Sequence, residues 1–211
     1  MYCDELIKIL RKKNIGCRIG GEYFGILVYA DDIILLSGNL PGLQAMVWEC
    51  EKFVKTRNLK FSTNIDPKKC KTKCIIFSKK SSDRKNVKSF ELNGQPLKWV
   101  PSLKYLGSIL QEDNSMELDM DSKRFSFNGK IHSLAQELHF LDPAVKMKIY
   151  EIYCQSFYGS NLWNLFGSKC DRIFKSYNVN VRQTFNVPRE THRYLIEQIS
   201  ENIHPKVFLS S

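Results

Sequence analysis

Two periods of polar and apolar residues alternate along this chain, and the points where the period changes mark its elements. From Tyr2 to Lys12, apolar residues fall at Leu6, Ile7, Ile9 and Leu10, a helical spacing. Asn14-Ile15-Gly16 supplies a helix stop, and Gly20-Gly21 reads as a turn. Tyr23-Phe24-Gly25 then opens a stretch in which two short apolar runs, Ile26–Tyr29 and Ile33–Leu36, flank Asp31 and Asp32. Runs of that length and composition predict a hairpin with the acids at its tip. A helix is predicted from Leu40 to Asn58, where Leu43, Met46-Val47, Cys50 and Phe53-Val54 recur at three and four and Pro41 suits the first turn. A strand around Lys60–Thr63, a lysine-bearing turn over 64–73 and a strand at Cys74–Ser78 follow, an order that predicts a helix over a sheet. Asn93-Gly94 predicts a tight hairpin over Phe90–Leu97, and Val100–Leu110 reads as another short strand.

The texture changes near Glu117. An acidic linker, 112–121, leads into predicted helices over 117–140, 143–166, 168–186 and 190–202. Asp142-Pro143 forms a cap and first turn, and Pro188 or Thr191 separates the last pair. The stretch from Ile149 to Phe166 is densely aromatic; its spacing fits one buried helical face, with a base-stacking surface as the other reading. Together the patterns predict an α+β chain, an antiparallel sheet with helices on one face over 1–111 and an all-helical region over 112–211.

Composition adds limits. With 211 residues, 43% hydrophobic and 26% charged, the chain fits one large globular domain or two small ones. No apolar run reaches the roughly 18 residues that span a bilayer. Met1–Glu5 has no secretory pattern, so no membrane partner is expected. Seven scattered cysteines, an odd number, predict reduced thiols and hence a place inside the cell. Cys70 and Cys74 are four apart with no further ligands at zinc spacing.

Charge changes the picture more. The net charge is +10, and residues 52–88 hold thirteen basic residues against only Asp66 and Asp83, so the rest of the chain is about neutral. A basic block of this kind suits a polyanion, with nucleic acid backbone as the leading partner; a solvated basic face or a nuclear-import patch is the other reading. The paired acids likewise admit two readings. Asp is a common turn residue. Yet carboxylates beside apolar runs are costly unless something positive offsets them, and Mg2+ takes one or two carboxylates plus substrate phosphates. A surface hairpin alternates polar and apolar residues. Here both arms are apolar at nearly every position, so both faces are expected to be covered, which favours a site.

Tyr29-Ala30-Asp31-Asp32, followed by Ile33-Ile34-Leu35-Leu36-Ser37, resembles the third catalytic motif of reverse transcriptases in its non-LTR (LINE-type) retrotransposon form. Tyr2, Asp4, Glu5 and Leu6, then Gly16, Cys17, Ile19, Gly20 and Gly21, resemble the tail of that family's second substrate-binding motif, and Leu103, Tyr105, Leu106 and Gly107 resemble its primer grip, a hairpin bearing on the primer end. The resemblance implies a partial polymerase palm over 1–111 and a helical thumb or connection over 112–211. It implies a fragment of an RNA-directed DNA polymerase, with two-metal nucleotidyl transfer in the full-length parent. Asp31 would hold Mg2+ or Mn2+, with Asp32 as a supporting acid. Tyr29 would pack beneath the turn, and Ala30 would be small so that the primer end lies against it. Lys71 resembles the lysine that protonates leaving pyrophosphate, a place that Lys69 or Lys73 can also take; Lys68 adjoins them in the nucleic-acid-binding loop. Tyr105, Leu106 and Gly107 would bear on the primer. The implied partners are an RNA template, a DNA primer and, in the parent, a deoxynucleotide; with a DNA target, nucleus and cytoplasm are both expected. The family's first catalytic aspartate has no counterpart among Asp4, Glu5 and Glu22, so the chain alone is expected to be inactive. The alternatives are a non-catalytic nucleic-acid-binding remnant that uses the 52–88 segment, and a poorly folding remnant with open strand edges.

Overall fold

The computed structural model of the protein describes residues 3–63, 70–84, 87–135, 137, 140–154, 157–164 and 168–199. The chain divides into two compact units, one of Met1–Ile76 with Ser81–Val100 and one of Phe77–Lys80 with Pro101–Ser211. Residues 101–111, grouped with the first segment on sequence, cluster with the second unit.

The first unit is built on two helices. Helix α1 (Asp4–Lys12) has Asp4 and Glu5 in its first turn and Arg11 and Lys12 in its last, both favourable to the helix dipole, and it buries Leu6 and Leu10. Two short hairpins follow, β1 (Arg18–Ile19) with β2 (Glu22–Tyr23), and β3 (Ile26–Tyr29) with β4 (Asp32–Leu35). Helix α2 (Leu40–Lys55) is capped by Asn39, whose side chain accepts from the Gly42 N–H at 2.7 Å, with proline in the first turn. One face of α2, Met46, Cys50, Phe53 and Val54, packs with Leu6, Leu10, Tyr23 and Ile26. Val47 faces a second cluster formed by Cys70, Phe90, Leu92 and Leu97. The last three belong to the hairpin of β5 (Phe90–Leu92) and β6 (Gln95–Leu97). That hairpin is fastened to α2 by polar groups as well. Gln44 exchanges two 3.2 Å hydrogen bonds with the Glu91 backbone, and the Glu51 carboxylate accepts the Asn93 N–H.

The expected strand at Lys60–Thr63 is absent, and Cys74–Ser78 contributes only a single bridge, Cys74 to Trp99. Side chains replace the ladder there. Asn58 takes φ +54° and Leu59 N–H returns to Val54 O at 3.0 Å, closing the helix, while Thr72 Oγ1 donates to Ser62 O at 2.9 Å. The lysine turn at 64–69 lies outside the described residues. Among the described residues the named strands pair only within four two-stranded antiparallel ribbons, in place of the single sheet that the strand–helix–strand order suggested.

The second unit opens with β7 (Ser102–Tyr105) and β8 (Ser108–Gln111), a hairpin where the spacing suggested one strand. Its two-residue turn is Leu106-Gly107, at φ +44° and +84°. Helices α3 (Glu117–Ala135), α4 (Pro143–Ile149), α5 (Ser168–Thr184) and α6 (Arg193–Ile199) complete it. Asp142 caps α4, accepting from the Ala144 N–H at 2.8 Å. The core centres on the Phe127 ring, whose centroid lies 5.9 Å from Tyr150, 5.6 Å from Phe157 and 6.0 Å from Tyr177. The expected helix over 143–166 is interrupted. It widens to a π-helical turn at Tyr150–Cys154 and meets Gly159 at φ +79°. The aromatic stretch is thereby divided. Tyr150, Phe157 and Trp163 are buried, whereas Ile152, Tyr153, Tyr158 and Leu162 are exposed. Among the described residues no helix is long and apolar enough to cross a membrane.

Burial gives the first unit an alkaline weak point. Cys50 is 2% exposed; desolvation, with the Glu49 carboxylate beside it, pushes its thiol up to about 12. Above its ordinary 9.0 the unfolded thiol loses its proton while the folded one keeps it, so stability is intact at neutral pH and falls as pH rises from 9 toward 12. Urea unfolding at rising pH should show a loss approaching about 1.4 kcal/mol per pH unit from this group. Cys50→Ala should flatten that slope while lowering stability at neutral pH.

Candidate functional site

The paired acids sit where the sequence pattern placed them. Tyr29 pairs with Asp32, so Ala30 and Asp31 form a two-residue loop closing β3 and β4, with Ala30 at φ +49°. Positive φ disfavours a bulky side chain, and alanine meets it with a small one. Asp31 and Asp32 are both exposed. The arms, however, are covered on one side only. Ile26, Val28, Ile33 and Leu35 pack toward the α1–α2 cluster, and the other side leaves Leu27 41% and Tyr29 63% exposed. Both faces were expected to be covered. A two-stranded ribbon backed by helices on one face leaves every second side chain outward. Tyr29 accordingly stands in solvent instead of packing beneath the turn.

The fit of a metal to these residues follows from the donor set. Catalysis with two divalent ions draws carboxylates from more than one element. Asp31 and Asp32 are adjacent on one hairpin, and Glu5 is engaged with Arg57. Among the described residues no three His, Cys, Asp or Glu side chains gather into a metal-holding group. The described residues therefore do not fit a complete two-metal centre, and no step through a metal is derived from them.

Of the lysines singled out on sequence, Lys71 and Lys73 are exposed in the loop after Cys70, and Lys68 and Lys69 lie outside the described residues. The basic block is not uniform. Lys52 pairs with Glu49 at 3.1 Å, and Arg57 pairs with Glu5 while its guanidinium sits 3.8 Å from the centre of the Phe53 ring. Lys55 and Lys60 are exposed and make no ion pair with another described residue. They line an open cleft of about 780 Å3 at the C-terminal end of α2, with Asn58, Phe61, Ser62 and Asn93. This cleft was not foreseen, because its walls come from a helix end, a coil and a distant hairpin turn.

In the second unit Tyr105, Leu106 and Gly107 form the end of the β7–β8 hairpin, Tyr105 and Leu106 half-buried and Gly107 exposed. Below that turn lies a polar cluster. Asp119, 2% exposed, accepts from Lys123 Nζ at 2.6 Å, from Trp163 Nε1 at 2.8 Å and from the Ile109 N–H at 2.9 Å. Lys123 Nζ also reaches Ser108 Oγ at 3.5 Å. A carboxylate this deep persists only when its oxygens are satisfied, and here three donors do so.

Over 108 residues the chain is 32% identical to the "Retrovirus-related Pol polyprotein from type-1 retrotransposable element R2" of Nasonia vitripennis, a match covering 48% of this chain and 10% of that protein. The chain is related to a retrotransposon Pol polyprotein. It spans about a tenth of the length of that relative. No family model matches the chain, and no solved structure matches it.

Asp119 went unrecognised because it lies inside an acidic run and its partner Trp163 is far away in sequence. The visible signal was the Asp119–Lys123 spacing of four along one helix. Asp119→Ala leaves Lys123, a largely covered ammonium, without its counter-charge, and should cost about 3–5 kcal/mol in denaturant unfolding. Adding Lys123→Met to that variant should recover much of the loss.

Proposed function

We propose that the chain is part of the RNA-directed DNA polymerase of a non-LTR retrotransposon, with the first unit as palm and the second as thumb or connection. The observation that supports this best is the acidic turn. The Tyr29–Asp32 stretch, carried by a chain related to a retrotransposon Pol polyprotein, forms a tight hairpin that holds Asp31 and Asp32 out at its end. In this reading Asp31, supported by Asp32, holds Mg2+ or Mn2+ together with carboxylates from outside the described residues. An RNA template, a DNA primer and a deoxynucleotide are the partners. Lys71, or Lys69 or Lys73 in its place, donates the proton to leaving pyrophosphate. Lys68 lies along the nucleic acid, and Tyr105, Leu106 and Gly107 bear on the primer.

A second reading takes the chain as a nucleic-acid-binding remnant without metal chemistry. The cleft of Lys55 and Lys60 favours it, because two exposed ammonium groups beside Phe61, Ser62 and the Asn58 and Asn93 amides suit a phosphate backbone with no metal required.

Titration of a primed RNA template at several salt concentrations separates the two. Both readings expect affinity to fall steeply with salt, and Lys55→Ala and Lys60→Ala each to weaken binding and reduce the log–log slope by about 1. The polymerase reading expects Mg2+ to tighten binding of the deoxynucleotide-bearing complex and Asp31→Ala to remove that response. Indifference to both Mg2+ and Asp31→Ala supports the remnant, and salt-independent binding contradicts both.

A further inference from the structure

The aromatic stretch after α4 leaves one ring out of the core in an unusual place. Phe157 turns inward, and the next residue, Tyr158, is 68% exposed. Tyr158 is not a stray surface ring. A Cβ placed on Gly107 would make ordinary contact with this ring, 3.6 Å from its Cδ1 and 3.9 Å from its Cε1, so the ring stands beside the β7–β8 turn. Gly107 is at φ +84°, where glycine is the residue that fits at no steric cost.

The two sides of this contact are tied to one buried group. Asp119 takes the N–H of Ile109, two residues past Gly107, and the indole N–H of Trp163, five residues past Tyr158. Gly159, beside Tyr158, is so close to Ser108 that any Cβ there would collide with the serine hydroxyl. Turn and ring are therefore held together before any ligand arrives. Such preorganisation matters for binding, because ordering the contact is not charged to the ligand. An exposed ring in a fixed position, with Lys104 exposed one residue before Tyr105 on the neighbouring hairpin, has the chemistry of a base-stacking site.

We propose that Tyr158 and the Leu106-Gly107 turn form a shelf on which an unpaired nucleobase stacks. This rests on the nucleic-acid reading above and names a contact for the β7–β8 end. Every base has a stackable face, so the shelf selects single-stranded over fully paired nucleic acid without reading sequence.

The test uses the full chain, a fluorescent mixed-sequence single strand and the same sequence as a blunt duplex. Tyr158→Phe keeps the ring and should bind the single strand as the wild type does. Tyr158→Leu keeps an apolar side chain beside Gly107 but offers no ring; it should weaken single-strand binding by about tenfold and leave the duplex unchanged. Both variants should keep the wild-type Tm, since the side chain is exposed. A 2-aminopurine in the strand should be quenched by wild type and Tyr158→Phe and not by Tyr158→Leu, which reads the stack itself. Equal affinity and equal quenching with Tyr158→Leu overturn the shelf while leaving salt-dependent binding standing. Failure of the wild type to bind nucleic acid at low salt overturns the shelf and the reading beneath it together.

Discussion

An isolated two-stranded hairpin is at best marginally stable in water, and the described residues of this chain carry four of them. Each must borrow its stability from a helix. In the first unit α2 lends most of it. Its Met46, Cys50, Phe53 and Val54 back the acidic hairpin's inner face, while Val47, Gln44 and Glu51 hold the β5–β6 hairpin. The acidic tip is therefore only as well placed as α2. A substitution such as Phe53→Ala acts on Asp31 without touching it, through a cavity on the face that supports Ile26 and Val28.

The second unit solves the same problem with charge. The β7–β8 hairpin lies on α3, and the buried Asp119 carboxylate receives the Ile109 N–H between them. A buried carboxylate adds little net stability over a well-packed apolar pair, but it is intolerant of displacement, because losing any donor leaves charge unsatisfied. It thus specifies the hairpin's position more sharply than it stabilises it. That is what a surface meant to meet a ligand requires.

Much of this was legible in the residues, for local reasons. The α2 stripe, Pro41 in its first turn, the Asn93-Gly94 turn and the placement of Asp31 and Asp32 between apolar arms depend on near neighbours, and the structure shows each of them. The short segments at 60–63 and 74–78 misled, since a few residues around Phe61 or Ile75-Ile76-Phe77 fit a strand or a coil pinned by side chains equally well. From spacing alone the β7–β8 turn was hidden by Leu106, a bulky residue at φ +44° where Gly or Asn is the usual marker, and only the primer-grip resemblance implied a hairpin there. The open side of the acidic hairpin was unreadable because alternation reports burial only when the outward residues are polar, and here they are Leu27 and Tyr29. Asp119 depends on Trp163, and no local pattern reports a contact over that separation.

Sequence similarity to a retrotransposon Pol polyprotein, a tight hairpin ending in two exposed carboxylates and a cleft lined by Lys55 and Lys60 are what support the proposal that this chain acts on nucleic acid. The central claim is that Asp31 belongs to a polymerase site completed by carboxylates beyond those described. The most direct measurement is incorporation of labelled deoxynucleotide on a primed RNA template by the protein purified as it occurs in its own cells, beside the same protein carrying Asp31→Ala. The expected result is Mg2+- or Mn2+-dependent incorporation by the wild type, abolished by Asp31→Ala. Incorporation that survives Asp31→Ala, or none from a wild-type protein that binds the template, would contradict the claim.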